Sequence, residues 1–322
     1  MKAPAFWYQP RSAQSVLLSP LGLLWCAGAK IRRSLAKPYR SKKPVICIGN
    51  IVTGGAGKTP TAMAVANLLL QMGQKPVFVL RGYGGTVKGP LQVDPESHSP
   101  HDVGDEGLLL ACIAPVWIGR DRASAIRAAE KNATHIIMDD GLQNPNVDPH
   151  LSFLVIDGAS GIGNGHVMPA GPLRETMSEA MARVAAIILI GKKDIHNIAG
   201  KVKKPVLRAK MQPDLRDDFP REEKFVAFAG IAHPEKFYAT CAETGLHLID
   251  WEDYPDHYLF TGNDLAMLYK KAEEQGAKLL TTEKDYVRVP LEYRAKVIAL
   301  PVRLVFEDEA ALRKLLMPKN GN

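Results

Sequence analysis

Short runs of almost wholly apolar residues, separated by stretches with helical spacing, dominate residues 45–190. The run that opens at Val45, with Lys75–Leu80, Pro115–Gly119, His135–Asp139, Leu151–Asp157 and Ala186–Ile190, reads as a set of strands largely covered on both faces. Between them, Pro60–Leu70 carries Met63, Ala66, Asn67 and Leu70 at three- and four-residue spacing. A second helix follows Gly104 through Leu108-Leu109-Leu110-Ala111, and a third covers Ala123–Lys131. Strands alternating with helices predict an α/β fold, a doubly wound parallel sheet. Thr86–Pro100 interrupts the alternation and reads as an exposed loop or short hairpin.

The pattern changes across Val202–Asp218, a Lys-, Pro- and Asp-rich connector containing Pro205 and Pro213. Beyond it, Phe225–Gly230, Leu246–Asp250, Lys278–Thr282 and Val297–Leu300 read as strands, and Pro234–Thr244 and Thr261–Glu274 as helices. A second, smaller α/β domain is expected, with its border near Lys210, giving segments 1–40, 41–210 and 211–322.

The first forty residues follow neither pattern. Phe6, Trp7 and Tyr8 lead into an apolar run over Val16–Ala29, interrupted by Pro20 and followed at once by Lys30, Arg32 and Arg33. A bilayer span needs about 20 apolar residues, and a signal peptide carries its positive charge before the apolar run, not after it. Two readings remain: a helix lying in a membrane interface, which the aromatic, leucine and arginine order favours, or a helix packed on the protein's own core.

Charge sharpens this. Residues 1–93 hold thirteen Lys or Arg and no Asp or Glu, whereas the rest holds 28 basic against 34 acidic residues. The net +7 is therefore an N-terminal property, and its mixture with apolar side chains points to an anionic membrane surface and not to nucleic acid. Cys26, Cys47, Cys112 and Cys241 have no CxxC spacing, so a disulfide framework or zinc site is not indicated and a reducing cytoplasm fits. At 322 residues and 46% hydrophobic, the chain can bury one large core or two smaller ones.

Candidate chemistry lies at the strand ends. The first strand runs into VICIGNIVTGGAGKTPT, a phosphate-binding loop of P-loop NTPase type. Amides of Thr53, Gly54, Gly55, Ala56, Gly57, Lys58, Thr59 and Pro60's neighbourhood would cradle phosphates, with Lys58 on the terminal phosphoryl oxygens and the Thr59 hydroxyl on Mg²⁺. Pro60 suits the first turn of the helix. The usual pattern has glycine where this chain has Val52. His135-Ile136-Ile137-Met138-Asp139-Asp140 ends in an acid pair where such enzymes hold Mg²⁺. Asp105 and Glu106 open a helix, a place where acids also serve simply to complement the helix dipole. Arg81, Arg120, Arg122 and Arg174 sit at strand ends or adjoining loops, as phosphate clamps or as surface ion pairs, and Tyr83 as a sugar-stacking ring or a plain loop aromatic. Gly191-Lys192-Lys193-Asp194 is like a guanine-selecting Asn-Lys-x-Asp stretch with glycine in place of asparagine.

Taken in order, IGNIVTGGAGKTP, RGYGG, VGDEGLLLA, GRDR, DDGLQ, the glycine-rich series ending in PAGPLRE, GIAHPEKF, PDHY and TTEKD resemble the tetraacyldisaccharide 4′-kinase family, the lipid A 4′-kinases of Gram-negative bacteria. The resemblance covers most of the chain, and that family shares the shifted glycines around Val52. It implies ATP- and Mg²⁺-dependent transfer of a γ-phosphoryl group to the 4′-hydroxyl of an acylated disaccharide 1-phosphate, on the cytoplasmic face of the inner membrane. It further implies Asp105 as the catalytic acid–base residue with His257 of PDHY as its partner, and Lys58 on the phosphates. Thr59, Glu106, Asp139, Asp140 and Gln143 would organise the metal, and Arg81, Tyr83, Arg120, Arg174 and Glu175 would meet the substrate. No obligate protein partner is indicated. Asn144 and Tyr258 stand where family members often carry histidine, leaving the roles of both positions open. A membrane-associated ATPase switch of the partitioning type shares the loop and the N-terminal segment, and a soluble small-molecule kinase shares the loop alone; neither needs an Asp–His pair drawn from two domains together with a membrane segment.

Overall fold

The structure, a computed structural model, describes residues 3–10, 12–193, 195 and 202–317. Asp194 of the Gly191–Asp194 stretch lies outside them. Helix α1 (Ala13–Leu35) precedes β1 (Val45–Gly49), α2 (Lys58–Gln71), β2 (Pro76–Leu80), β3 (Leu91–Gln92), α3 (Pro100–Val103), α4 (Asp105–Ala111), β4 (Val116–Ile118), α5 (Arg122–Ala129), β5 (His135–Asp139), β6 (Leu151–Asp157), α6 (Met177–Arg183), β7 (Ala186–Ile190) and β8 (Val206–Pro213). There follow β9 (Lys224–Ala229), α7 (Pro234–Glu243), β10 (His247–Asp253), α8 (Gly262–Glu274), β11 (Lys278–Thr282), α9 (Glu283–Tyr286), α10 (Leu291–Arg294), β12 (Val297–Leu300), β13 (Val302–Phe306) and α11 (Glu309–Leu316).

Every residue of β1 is buried, as a central parallel strand with helices on both sides requires. Its side chains alternate between two cores. Ile46 and Ile48 pack with Val65 and Leu69 of α2 and Leu312 of α11, whereas Val45 and Cys47 pack with Ala125 and Ile126 of α5. The nine-stranded sheet runs β13-β8-β7-β6-β1-β5-β2-β4-β3, parallel except at its two edges, where β3 and β13 run antiparallel to their neighbours. Thr86–Pro100 thus supplies one short edge strand. A four-stranded parallel sheet, β10-β9-β11-β12, forms the smaller unit from the four strands expected there.

The expected connector contains β8, so the border anticipated near Lys210 lies inside a strand of the large sheet. After the small sheet, the chain returns: β13 pairs with β8, Val302 opposite Pro213, and α11 packs on the large core. The small unit is inserted between two adjacent strands.

Helix α1 extends past the apolar run, through Arg32 and Arg33, with Pro20 inside it. Only Ser15 and Gly22 are buried, and a Cβ on Gly22 would stand 3.1 Å from the carbonyl oxygen of Val167. Leu17 is 80% exposed and Leu23 72%, so this apolar face meets no protein core. Among the described residues no helix is long and apolar enough to cross a membrane.

Candidate active site

The loop after β1 shows why valine serves at position 52. Val52 forms an antiparallel bridge with Leu173, and the amide of Thr53 donates to the carbonyl of Pro172 at 3.0 Å, so this part of the loop is extended and buried. Turning is deferred to Gly54, at φ 117°, and to Gly57, at φ 82°, which caps α2. A Cβ on Gly57 would lie 2.4 Å from Cδ1 of Ile190. The curve therefore delivers the free amides at the start of α2, with Lys58 and Thr59 in its first turn.

Lys58 Nζ stands 3.4 Å from Asn50 Oδ1 and 3.8 Å from Asp140 Oδ1. The hydroxyl of Thr59 donates to Asp139 Oδ2 at 2.9 Å. Asp139 is buried at the end of β5, and its Oδ1 has no hydrogen-bond partner. Burial pushes this carboxyl up to about 6, against the opposing attraction of Lys58. Arg122, expected to face solvent or substrate, is instead buried and donates to the carbonyls of Asp139 and Asp140 at 3.3 and 3.4 Å, holding the acidic turn from behind. Among the described residues no three His, Cys, Asp or Glu side chains converge as a ready-made cation site. An orphaned buried carboxylate oxygen beside a hydroxyl nevertheless fits a hard divalent cation.

Two residues in the expected metal group are otherwise engaged. Asp140, at φ 51°, accepts from Arg174 at 3.0 and 3.2 Å. Gln143 donates to the carbonyl of Asn50 at 2.8 Å and to Glu175 Oε1 at 2.9 Å. Glu175 is buried beneath Arg33 of α1 and Arg183 of α6. Arg174 and Glu175 thus join Asp140 and Gln143 in one polar network, while Arg81, Tyr83 and Arg120 stand exposed. Asn144 Oδ1 accepts the amide of Asn146 within a turn.

The RGYGG loop sets the other wall. Gly104 has φ 80° and a Cβ there would lie 2.3 Å from the carbonyl oxygen of Tyr83, so glycine is required for the turn that starts α4. Asp105 opens α4 nearly buried; Glu106 is half-exposed and near enough to Asp139 to disfavour its ionisation. His257, at φ 62° in the small unit, places Nδ1 2.8 Å from Asp105 Oδ2. Residues 152 positions apart, one opening α4 beside the large sheet and one in a turn of the small unit, therefore share one hydrogen bond. Burial acts to raise the Asp105 carboxyl, but the His257 hydrogen bond and then Arg288, His257 and Lys284 outweigh it and hold it below the usual range. Tyr258 points away, its hydroxyl donating to Asp264 at 3.1 Å.

Sequence reading assigned no role to Lys284, Asp285 or Arg288, although TTEKD contains the first two. Arg288 is buried, with Nε 3.0 Å from Asp105 Oδ2 and Nη1 3.1 Å from Asp285 Oδ1. Lys284 Nζ lies 3.4 Å from His257 Nε2. Lys236 Nζ also crosses between units, 3.1 Å from Asp157 at the end of β6.

The family described as tetraacyldisaccharide-1-P 4′-kinase matches residues 14–320. The tetraacyldisaccharide 4′-kinase of Rhodospirillum centenum is 44% identical, over 99% of this chain and 96% of its own. That of Parvibaculum lavamentivorans is 45% identical, over 97% of this chain and 92% of its own. A crystal structure of LpxK from Aquifex aeolicus in complex with ATP has a TM-score of 0.76 and 25% identity, covering 94% of this chain and 98% of that one.

Proposed function

The chain belongs to the tetraacyldisaccharide-1-P 4′-kinase family, and we propose that it transfers the γ-phosphoryl group of ATP to the 4′-hydroxyl of an acylated disaccharide 1-phosphate in lipid A biosynthesis. The observation that carries this is the Asp105–His257 hydrogen bond, which joins the loop-bearing sheet to the small unit. A nucleotide switch of the partitioning type has no use for such a pair.

In this reading the amides of Gly54 to Thr59 and the Lys58 ammonium bind the β- and γ-phosphates, while Thr53, expected among them, spends its amide on the carbonyl of Pro172. The sugar 4′-oxygen attacks the γ-phosphorus, the bond to the β,γ-bridging oxygen breaks, and ADP leaves. The hydroxyl proton passes to Asp105, whose carboxylate is kept ionised and oriented by His257 Nδ1–H. Because the transition state is loose, most of the catalysis is placement and charge neutralisation. Thr59 and Asp139, with Glu106 nearby, would hold Mg²⁺, which when bound neutralises phosphate charge. Arg174 and the exposed Arg81, Tyr83 and Arg120 meet the disaccharide phosphate and sugar. Helix α1 lies on the anionic cytoplasmic face of the inner membrane, its exposed leucines beside the acyl chains.

Purified protein given γ-labelled ATP and acylated disaccharide 1-phosphate in detergent micelles should yield labelled 4′-phosphate. Folded protein that binds ATP and transfers nothing would overturn the reading.

A further inference from the structure

Building on the kinase reading, we propose that Lys284 is a positioning residue of the transfer site: its ammonium fixes which ring nitrogen of His257 carries the proton, and so dictates that the substrate proton goes to Asp105. Three observations carry it.

The first is hydrogen-bond chemistry. Lys284 Nζ is 3.4 Å from His257 Nε2, and an ammonium can only donate, so Nε2 must be the bare, accepting nitrogen. The proton then sits on Nδ1, 2.8 Å from Asp105 Oδ2, where the carboxylate accepts it. Asp256 Oδ1, the other group facing Nε2, stands 3.9 Å away, beyond hydrogen-bonding reach. With Nε2 occupied by Lys284 and Nδ1 already protonated, the ring has no vacant nitrogen for the hydroxyl proton. Asp105 is left as its acceptor.

The second is placement. Lys284 stands on the four-residue helix α9, which Thr282 caps. Its successor Asp285 is fully buried and accepts from Thr282 Oγ1 at 2.7 Å, from the amide of Gly230 at 3.1 Å and from Arg288 Nη1 at 3.1 Å. The small unit therefore grips α9 from both sides. Arg288 Nη1 also donates to the carbonyls of Gly230 and Tyr258, which turns the Nε edge of its guanidinium toward Asp105. The peptide segment that presents His257 and the helix that presents Lys284 are thus fastened to the same buried carboxylate–guanidinium pair.

The third is the lysine's second neighbour. Glu106 Oε1, on α4 of the large sheet, lies 3.9 Å from the same ammonium, which therefore sits between carboxylate and imidazole. Lys284 is about a third exposed, so its contacts are not demanded by core packing.

The test needs no lipid substrate for its first arm. In protein labelled with ¹⁵N-histidine, the His257 ring should show a protonated Nδ1 and an unprotonated Nε2 at neutral pH. Lys284→Met should shift the ring toward mixed tautomers and lower kcat about 10²-fold, as small misplacements at a reacting centre do, with the KM for ATP unchanged. Lys284→Arg, which keeps a donor-only cation, should restore the wild-type ring signals and part of kcat. Unaltered ring signals and unaltered kcat in folded Lys284→Met would overturn the proposal. Wild-type protein inactive on the lipid would instead defeat the kinase reading, and the ring signals would still decide the role of Lys284.

Discussion

Trp25 of the exposed apolar helix donates its indole N–H to the backbone carbonyl of Arg174 at 2.9 Å. Arg174 holds Asp140, and its successor Glu175 is held by Arg33 from the same helix. Arg32 also donates to the carbonyl of Gln143, at 3.3 Å. The segment expected to rest on the membrane is thereby wired to the polar network beside the phosphate loop.

Replacing Trp25 by Phe keeps an aromatic ring, though a smaller one, and removes that donor. A lost hydrogen bond of this kind costs about 0.5–1.5 kcal/mol. Catalytic efficiency on the lipid should fall by between about twofold and about tenfold while the affinity for ATP is retained. Steady-state kinetics with each substrate varied in turn would separate the two; an equal loss toward ATP would contradict the wiring.

Asp105→Asn removes the proposed proton acceptor without changing shape. Turnover should drop about 10²–10⁴-fold, the range for lost acid–base catalysis, with nucleotide affinity near normal. His257→Ala should do nearly as much, and the double variant little more than the worse single one, because residues acting as one unit are not additive. Additive losses would mean that the 2.8 Å hydrogen bond joins two independent groups.

Arg288→Met would leave Asp285 buried with its ionic partner gone. Breaking a buried pair in this way costs about 3–5 kcal/mol, which a urea titration of the purified variant should register. Removing both partners together should cost less than removing the arginine alone.

Acid should loosen the base of the large sheet through His150. Its Nδ1 accepts the amide of Val45 at 3.2 Å, and protonation abolishes that acceptor. Burial first, then Arg40, holds this imidazole below its ordinary value of 6.5, with Asp148 acting the other way. A histidine depressed in the folded state contributes stability that is complete above its unfolded value and is lost as pH falls below 6.5 toward the lower folded value. Melting temperature should therefore fall on going from pH 7.5 to 5.5, and fall less in His150→Gln. Parallel curves would remove His150 from the acid response.

The sequence made the strands legible wherever burial is two-sided, because a parallel strand such as β1 has no exposed face to dilute its apolar run. It hid β8, which lies within a Lys- and Pro-rich stretch that resembles a linker and itself holds Lys210 and Pro213; this strand lies one place from the sheet's edge, where burial is partial. Arg122 was misplaced for a related reason. An arginine beside a strand end looks solvent-facing until two backbone carbonyls, 17 and 18 residues onward, are found to receive it. Lys284 and Arg288 were missed because their partners, His257 and Asp105, are distant in the chain and carry no spacing signal. Family resemblance supplied the Asp105–His257 pairing, which no local pattern contains.

Chain insertion at one point has a consequence for how this protein divides. Pro213 and Val302 face each other across an antiparallel ladder, and the amide of Asp214 donates to the carbonyl of Pro301 at 2.8 Å. All that lies between leaves and re-enters through a doorway one strand spacing wide, about 4.8 Å. The encoding stretch is thus a cassette: a two-residue turn from Pro213 to Val302 would close the nine-stranded sheet without it. The phosphate loop lies outside that stretch, whereas the proton-handling group straddles its border, with Asp105 before it and His257, Lys284 and Arg288 within it.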